Sequence, residues 1–194
     1  MYTRRFWVDT ETTGLDSRKH FAFQISYLIE EDGAILQRRT LELRPDHHDK
    51  YEFSAGAEKV HGYSREKIIS FPPESDVIAA LASDLKLYGK ERLTLTGYNV
   101  DFDVRFIKAL FERNKSLGSF HNYFDYINCD VLQFVQACRI AGIISLPRID
   151  LESVCRYLDI DTKEAHHSMT DILNTKAVFG KLAGMSFKPD HAFK

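Results

Sequence analysis

The first quarter of the chain is patterned for strands and most of the remainder for helices. Residues 4–11 hold Phe6, Trp7 and Val8 in one apolar run and read as a buried strand. Residues 21–31 are apolar and rich in β-formers. Asp32-Gly33 then marks a turn into a further strand over residues 34–43. Together the three predict an antiparallel meander. Residues 44–70 are irregular, with short helical pieces over 55–60 and 65–69. From Pro72-Pro73 the period becomes helical: Val77, Ile78, Leu81 and Leu85 fall on one stripe of a segment running to residue 88. Residues 93–97 form a short strand, and Asn99 suits the N-cap of a helix over 100–113. A short strand over 127–130 and helices over 131–141, 151–158 and 169–182 complete the pattern.

Three strands, then helices interleaved with two short strands, predict an α/β layer structure around a mixed sheet. No Gly/Ser linker, low-complexity block or repeat divides it. Residues 1–185 therefore read as a single domain, with a short C-terminal tail over 186–194.

Composition narrows the class. Of 194 residues, 44% are hydrophobic and 12% aromatic, which supplies a core and excludes a disordered or acidic-tail protein. Lys and Arg number 26 against 28 Asp and Glu, a formal net charge of −2. Proteins that coat a nucleic-acid backbone by bulk charge are usually more basic. A polyanionic partner would be gripped locally, or with positive charge supplied by metal ions. No apolar run approaches a membrane span, and the first residues lack the apolar stretch of a secretory signal. Cys129, Cys138 and Cys155 are odd in number and show no CxxC pairing, so a reducing, cytoplasmic setting is expected.

The chemistry lies in acids at awkward positions. Side chains alternate along a strand, so Asp9 and Glu11 share a face. Two such carboxylates repel, at a cost in a low-dielectric interior unless cations intervene; a solvated strand end would also accommodate them. Asp103 precedes Phe106, Ile107 and Leu110 by three, four and seven residues, which puts it on the apolar stripe of its helix. There it is paired, metal-bound, or a first-turn acid complementing the helix dipole. His166-His167-Ser168-Met169-Thr170-Asp171 stands before the last helix. Ser168 and Asp171 have capping-box spacing, and a cap does not preclude a metal ligand. Asp46-His47-His48-Asp49 also looks metal-like, but adjacent residues of a polar loop seldom ligate together.

Asp9, Glu11, Asp103 and Asp171, with His166 nearby, all lie at element ends, where α/β sheets commonly place their sites. Four carboxylates can hold two divalent cations about 3.5–4 Å apart for in-line phosphoryl displacement. Oxygen-only donors select hard ions such as Mg²⁺ or Mn²⁺. An imidazole beside them can accept a proton from water near neutral pH.

These blocks resemble the DEDDh group of 3′→5′ exonucleases, the family of the proofreading epsilon subunit of bacterial replicative polymerase. Val8-Asp9-Thr10-Glu11-Thr12-Thr13-Gly14 is similar to its opening motif. Asn99-Val100-Asp101-Phe102-Asp103 is similar to its Asn-x-x-Phe-Asp block, and His166 to Asp171 to its His-x-x-x-x-Asp block. Val60-His61-Gly62 and Cys129-Asp130 resemble two lesser landmarks, and the matches run in family order from residue 8 to residue 171.

The resemblance implies a ribonuclease-H-like fold, a mixed five-stranded sheet flanked by helices. It implies a two-metal enzyme that releases nucleoside 5′-monophosphates from the free 3′ end of a nucleic acid. DNA, as single strands or frayed ends, is favoured; RNA is the alternative, because treatment of the 2′-hydroxyl is not legible in the sequence. A non-catalytic binding module should have lost a ligand, and none is missing. Roles follow from the same resemblance. Asp9 bridges both metals, Glu11 and Asp171 complete the site of the attacking water, and Asp103 serves the second metal. His166 is the general base, with His167 a rival one residue out of register. Backbone from Thr10 to Thr12, together with Leu15, His61, Asn99 and Phe102, is expected at the substrate. Ser168 replaces the family's usual Ala two residues after the histidine. No polymerase-binding tail is evident, so a free-standing exonuclease for repair or nucleic-acid turnover is expected.

Overall fold

The computed structural model describes residues 4–89, 91–162 and 168–186. Five strands, β1 (Arg4–Thr12), β2 (Ala22–Glu31), β3 (Ala34–Glu42), β4 (Thr94–Gly97) and β5 (Cys129–Asp130), form one sheet in the order β3-β2-β1-β4-β5. The first three are the antiparallel meander expected, and β4 and β5 add in parallel. The helices are α1 (Ala55–His61), α2 (Arg65–Ile69), α3 (Glu74–Tyr88), α4 (Asp101–Arg113), α5 (Val131–Ile140), α6 (Leu151–Tyr157) and α7 (Ser168–Ser186). The expected mixed five-stranded sheet flanked by helices is the observed architecture.

β1 is the middle strand, and its alternation builds a core on each side. Phe6 and Val8 join Tyr27, Leu95 and the helical residues Leu81, Leu85, Phe106 and Leu110 of α3 and α4. Trp7 points the other way, to Val135, Val154, Val178 and Leu182 of α5, α6 and α7. A smaller aromatic cluster of Phe21, Phe23, Phe71 and Tyr63 lies under the irregular segment.

β2 is also buried on both faces, and its inner polar residues are answered by α7. The Ser168 hydroxyl donates to Gln24 Oε1 at 2.5 Å and lies 2.7 Å from Ser26 Oγ. Glu30 accepts from Trp7 Nε1 at 3.1 Å, from Arg5 at 3.0 Å, and from Lys176. Partners of this kind are what make buried polar groups tolerable.

Two expected caps are replaced. Asn99 takes a left-handed φ of 59° and makes no side-chain cap bond, so α4 begins at Asp101. Asn tolerates that region better than most residues, which lets the chain turn sharply out of β4. Ser168 opens α7, but its hydroxyl is engaged inside by β2. β5 is shorter than expected, and Ile127 just before it is 80% exposed. α7 runs to Ser186, past the expected end at residue 182. The expected tail beyond Ser186 lies outside the described residues. Among the described residues, no helix is long and apolar enough to cross a membrane.

Candidate active site

Strand alternation distributes the polar end of β1 between the two layers. Asp9 and Glu11 continue the face of Trp7, toward α7, while Thr10 continues the face of Phe6 and Val8, toward α4. The Thr10 N–H and hydroxyl both donate to Asp103 Oδ1, at 2.9 and 2.7 Å. Asp103 sits in the first turn of α4 and is 3% exposed. Neither bond uses its second oxygen. Asp171 comes from the opposite layer, in the first turn of α7.

The turns around β1 are tight. The Thr12 hydroxyl donates to the Gly14 carbonyl at 2.8 Å. A Cβ on Gly14 would stand 2.2 Å from the His20 ring. Gly97 ends β4 against β1, where a Cβ would meet the Val8 carbonyl at 2.8 Å. Only glycine permits that approach, which brings the start of α4 beside the carboxylates of β1. The Asn99 N–H donates to Asp130 Oδ1 at 2.9 Å, and the same oxygen accepts from Leu132 N–H at 2.9 Å, capping α5.

The four acids share one electrostatic field. Burial, followed by repulsion from Asp103, Glu11 and Asp171, holds the Asp9 carboxyl well above its ordinary range. Burial and then Asp171 push Glu11 up to about 7. Burial raises Asp103 to about 7, against the Thr10 hydrogen bonds that favour its charged form, with Glu11 adding repulsion. Among the described residues, no Lys or Arg contributes to the shift of Asp9 or Glu11. Among the described residues, no three His, Cys, Asp or Glu side chains are already drawn together as a metal cage. The donor set nevertheless suits hard divalent cations. It offers carboxylate oxygens only, and each acid's charge is opposed by its neighbours.

The other expected residues are more dispersed. Leu15 follows the Gly14 turn and is 80% exposed. Phe102 is half-buried, its ring 5.0 Å from Phe106 and under the Arg105 guanidinium. His61 ends α1 with its ring edge-on to Phe23 at 4.7 Å, and its Nδ1 accepts from Tyr63 N–H at 3.0 Å. It shares a cavity of about 10 Å³ with Thr13, and burial lowers its pKa. His61 is not among the groups that shift Asp9, Glu11 or Asp103. His166 and His167 lie outside the described residues. Sequence reasoning missed two features: the Thr10 hydroxyl as the holder of Asp103, and Asp130 as the tie between α5 and the β4–α4 turn. The inward parity of Thr10 was the available signal for the first.

Comparison with known proteins fits this geometry. The chain resembles the structure of E. coli exonuclease I in complex with a dT13 oligonucleotide, with a TM-score of 0.74 and 20% identity over 97% of this chain and 42% of that one. The zinc-bound form of an E. coli exonuclease I–ssDNA complex gives a TM-score of 0.74 and 22% identity over 95% and 41%. The E. coli enzyme in complex with dA16 gives 0.70 and 23% over 93% and 40%. The chain thus spans about two fifths of the length of these structures and shares their ribonuclease-H-like fold. Among curated proteins, no sequence matches the chain. The RNase_T family model, described as exonuclease, matches residues 6–179, and on that span the chain belongs to the RNase_T family of exonucleases.

Proposed function

We propose that this chain is a divalent-metal-dependent 3′→5′ exonuclease that removes nucleoside 5′-monophosphates from single-stranded or frayed DNA. The observation that carries the reading is the gathering of Asp9, Glu11, Asp103 and Asp171 into one mutually repelling set. Family membership supports the reaction class, and the oligonucleotide complexes of E. coli exonuclease I support single-stranded DNA. When bound, two Mg²⁺ or Mn²⁺ ions neutralise phosphodiester oxygens and polarise the attacking water.

The protein's own groups do the rest. Asp9, Glu11 and Asp171, from β1 and α7, would hold the ions, with Asp9 shared between them, and Asp103, from α4, would serve the second. Thr10 keeps one Asp103 oxygen turned inward, which limits the carboxylate to a single orientation. His166, five residues before Asp171, takes the proton of the water, as the motif register supports. The exposed Leu15 and the half-buried Phe102 offer apolar surface to the terminal base. Contacts of that kind tolerate any base, so little sequence preference is expected.

Purified protein incubated with end-labelled single-stranded DNA and RNA, with Mg²⁺, Mn²⁺ or EDTA, tests the reading. A stepwise ladder from the 3′ end that EDTA abolishes is expected. Cleavage that persists in EDTA or starts internally would contradict it, and faster turnover of RNA would make the chain an exoribonuclease. Asp9→Ala should abolish turnover and leave the fold intact. His166→Ala should slow it roughly 10²–10⁴-fold. A dead His167→Ala beside an active His166→Ala would move the base by one residue.

A further inference from the structure

We propose that a surface trough leading from Asp171 to Tyr157 carries the strand upstream of the scissile phosphate. In it, Arg148 and Arg156 grip phosphates and Tyr157 stacks a base; the proposal rests on the exonuclease reading above. Two cavities adjoin on the α6 side of the acids. The first, about 270 Å³, has Asp171 and Asn174 of α7 on one side and Arg148, Asp150 and Glu152 on the other. The second, about 410 Å³, is lined by Leu146, Pro147, Arg148, Ser153, Arg156 and Tyr157. Arg148 lines both, so the two meet at its side chain, and the first reaches a candidate metal ligand.

Charge changes sign along the trough. Asp150, Glu152 and Asp171 outnumber Arg148 in the first cavity, so a strand is welcome there only where cations sit. The second has two guanidiniums and no acid in its lining, beside an apolar floor and a Tyr157 that is 44% exposed. That combination suits single-stranded nucleic acid, whose phosphates seek Arg and whose bases seek aromatic faces. Both arginines are mostly exposed and lean on nearby acids, Arg148 on Asp150 at 3.1 Å and Arg156 on Glu152 at 2.6 Å. Exposed ion pairs are weak, and each guanidinium keeps further N–H groups for a phosphate. The wall is anchored as well. The Tyr98 hydroxyl donates to the Ile149 carbonyl, and Asp150 accepts from Ser153 N–H at 3.0 Å to cap α6.

The test compares kcat/KM for a ten-nucleotide strand with that for a dinucleotide, across a salt series. For Arg148→Gln/Arg156→Gln the ratio should fall about tenfold, and the salt slope should flatten by about 1.4, or about 0.7 per lost single-strand contact. Tyr157→Ala should lower the ratio without moving the slope. Glu152→Gln, which frees Arg156, should raise the ratio. Melting temperatures should stay at the wild-type value, because both arginines are exposed. If the double Gln variant keeps the wild-type ratio, or the wild-type slope, the strand runs elsewhere and the trough is wrong. If the wild type shortens neither substrate, the exonuclease reading itself fails.

Discussion

Thr10 presents two donors to one oxygen of Asp103, a residue 93 positions further along the chain. Thr10→Val keeps the shape and the N–H bond but removes the hydroxyl. Groups that orient a metal ligand typically matter 10–100-fold in metal affinity. Calorimetric titration of Mn²⁺ into Thr10→Val should therefore show binding about tenfold weaker, and Thr10→Ser should restore most of it. Equal affinities in all three proteins would leave Thr10 as mere core. The acids themselves were legible from sequence because charge on an apolar stripe, as at Asp103, demands an explanation. The partner of Thr10 was not legible, since a strand's pattern says which way a side chain points but not which helix waits there. Ser168 misled for a related reason: capping spacing is local, whereas its hydroxyl is claimed by Gln24 and Ser26 of a distant strand.

At the scale of elements, the meander of β1, β2 and β3 was readable because long apolar strands and an Asp-Gly turn are strong local signals. β5 was overextended to 127–130 because apolar residues alone do not reveal that only Cys129 and Asp130 find a partner. The start of α4 was set by the left-handed turn at Asn99, a backbone choice that side-chain preference for capping hides. Asp130 joins these pieces by capping α5 while holding the Asn99 N–H. Asp130→Ala should destabilise the protein by about 1–2 kcal/mol, the usual worth of a cap, measured by urea denaturation. It should also lower kcat/KM, because the turn that launches Asp103 loses its anchor. A variant of unchanged stability would show that the two N–H groups find water instead.

The whole molecule should feel its acids through pH. Glu11 and Asp103 titrate near 7 in the folded chain, whereas an unfolded carboxyl titrates near 4 (roughly). Between those values the folded state keeps protons that the unfolded state releases. The stability they confer is therefore complete below about pH 4 and is lost as pH rises to about 7. Metal-free protein should melt roughly 10–20 °C lower at pH 8 than at pH 5, about 5 kcal/mol from the two carboxyls together. Mg²⁺ or Mn²⁺ should recover more of that at pH 8, where the acids are charged and bind cations. A flat profile with and without metal, read by scanning calorimetry, would count against a shared site. The middle position of β1 has a further consequence during translation. Its two acids leave the ribosome early, but the last carboxyl arrives only with residue 171 and the docking of α7. On the function proposed above, a half-made chain would lack one of its four carboxylates, and any cutting would begin only once α7 has docked.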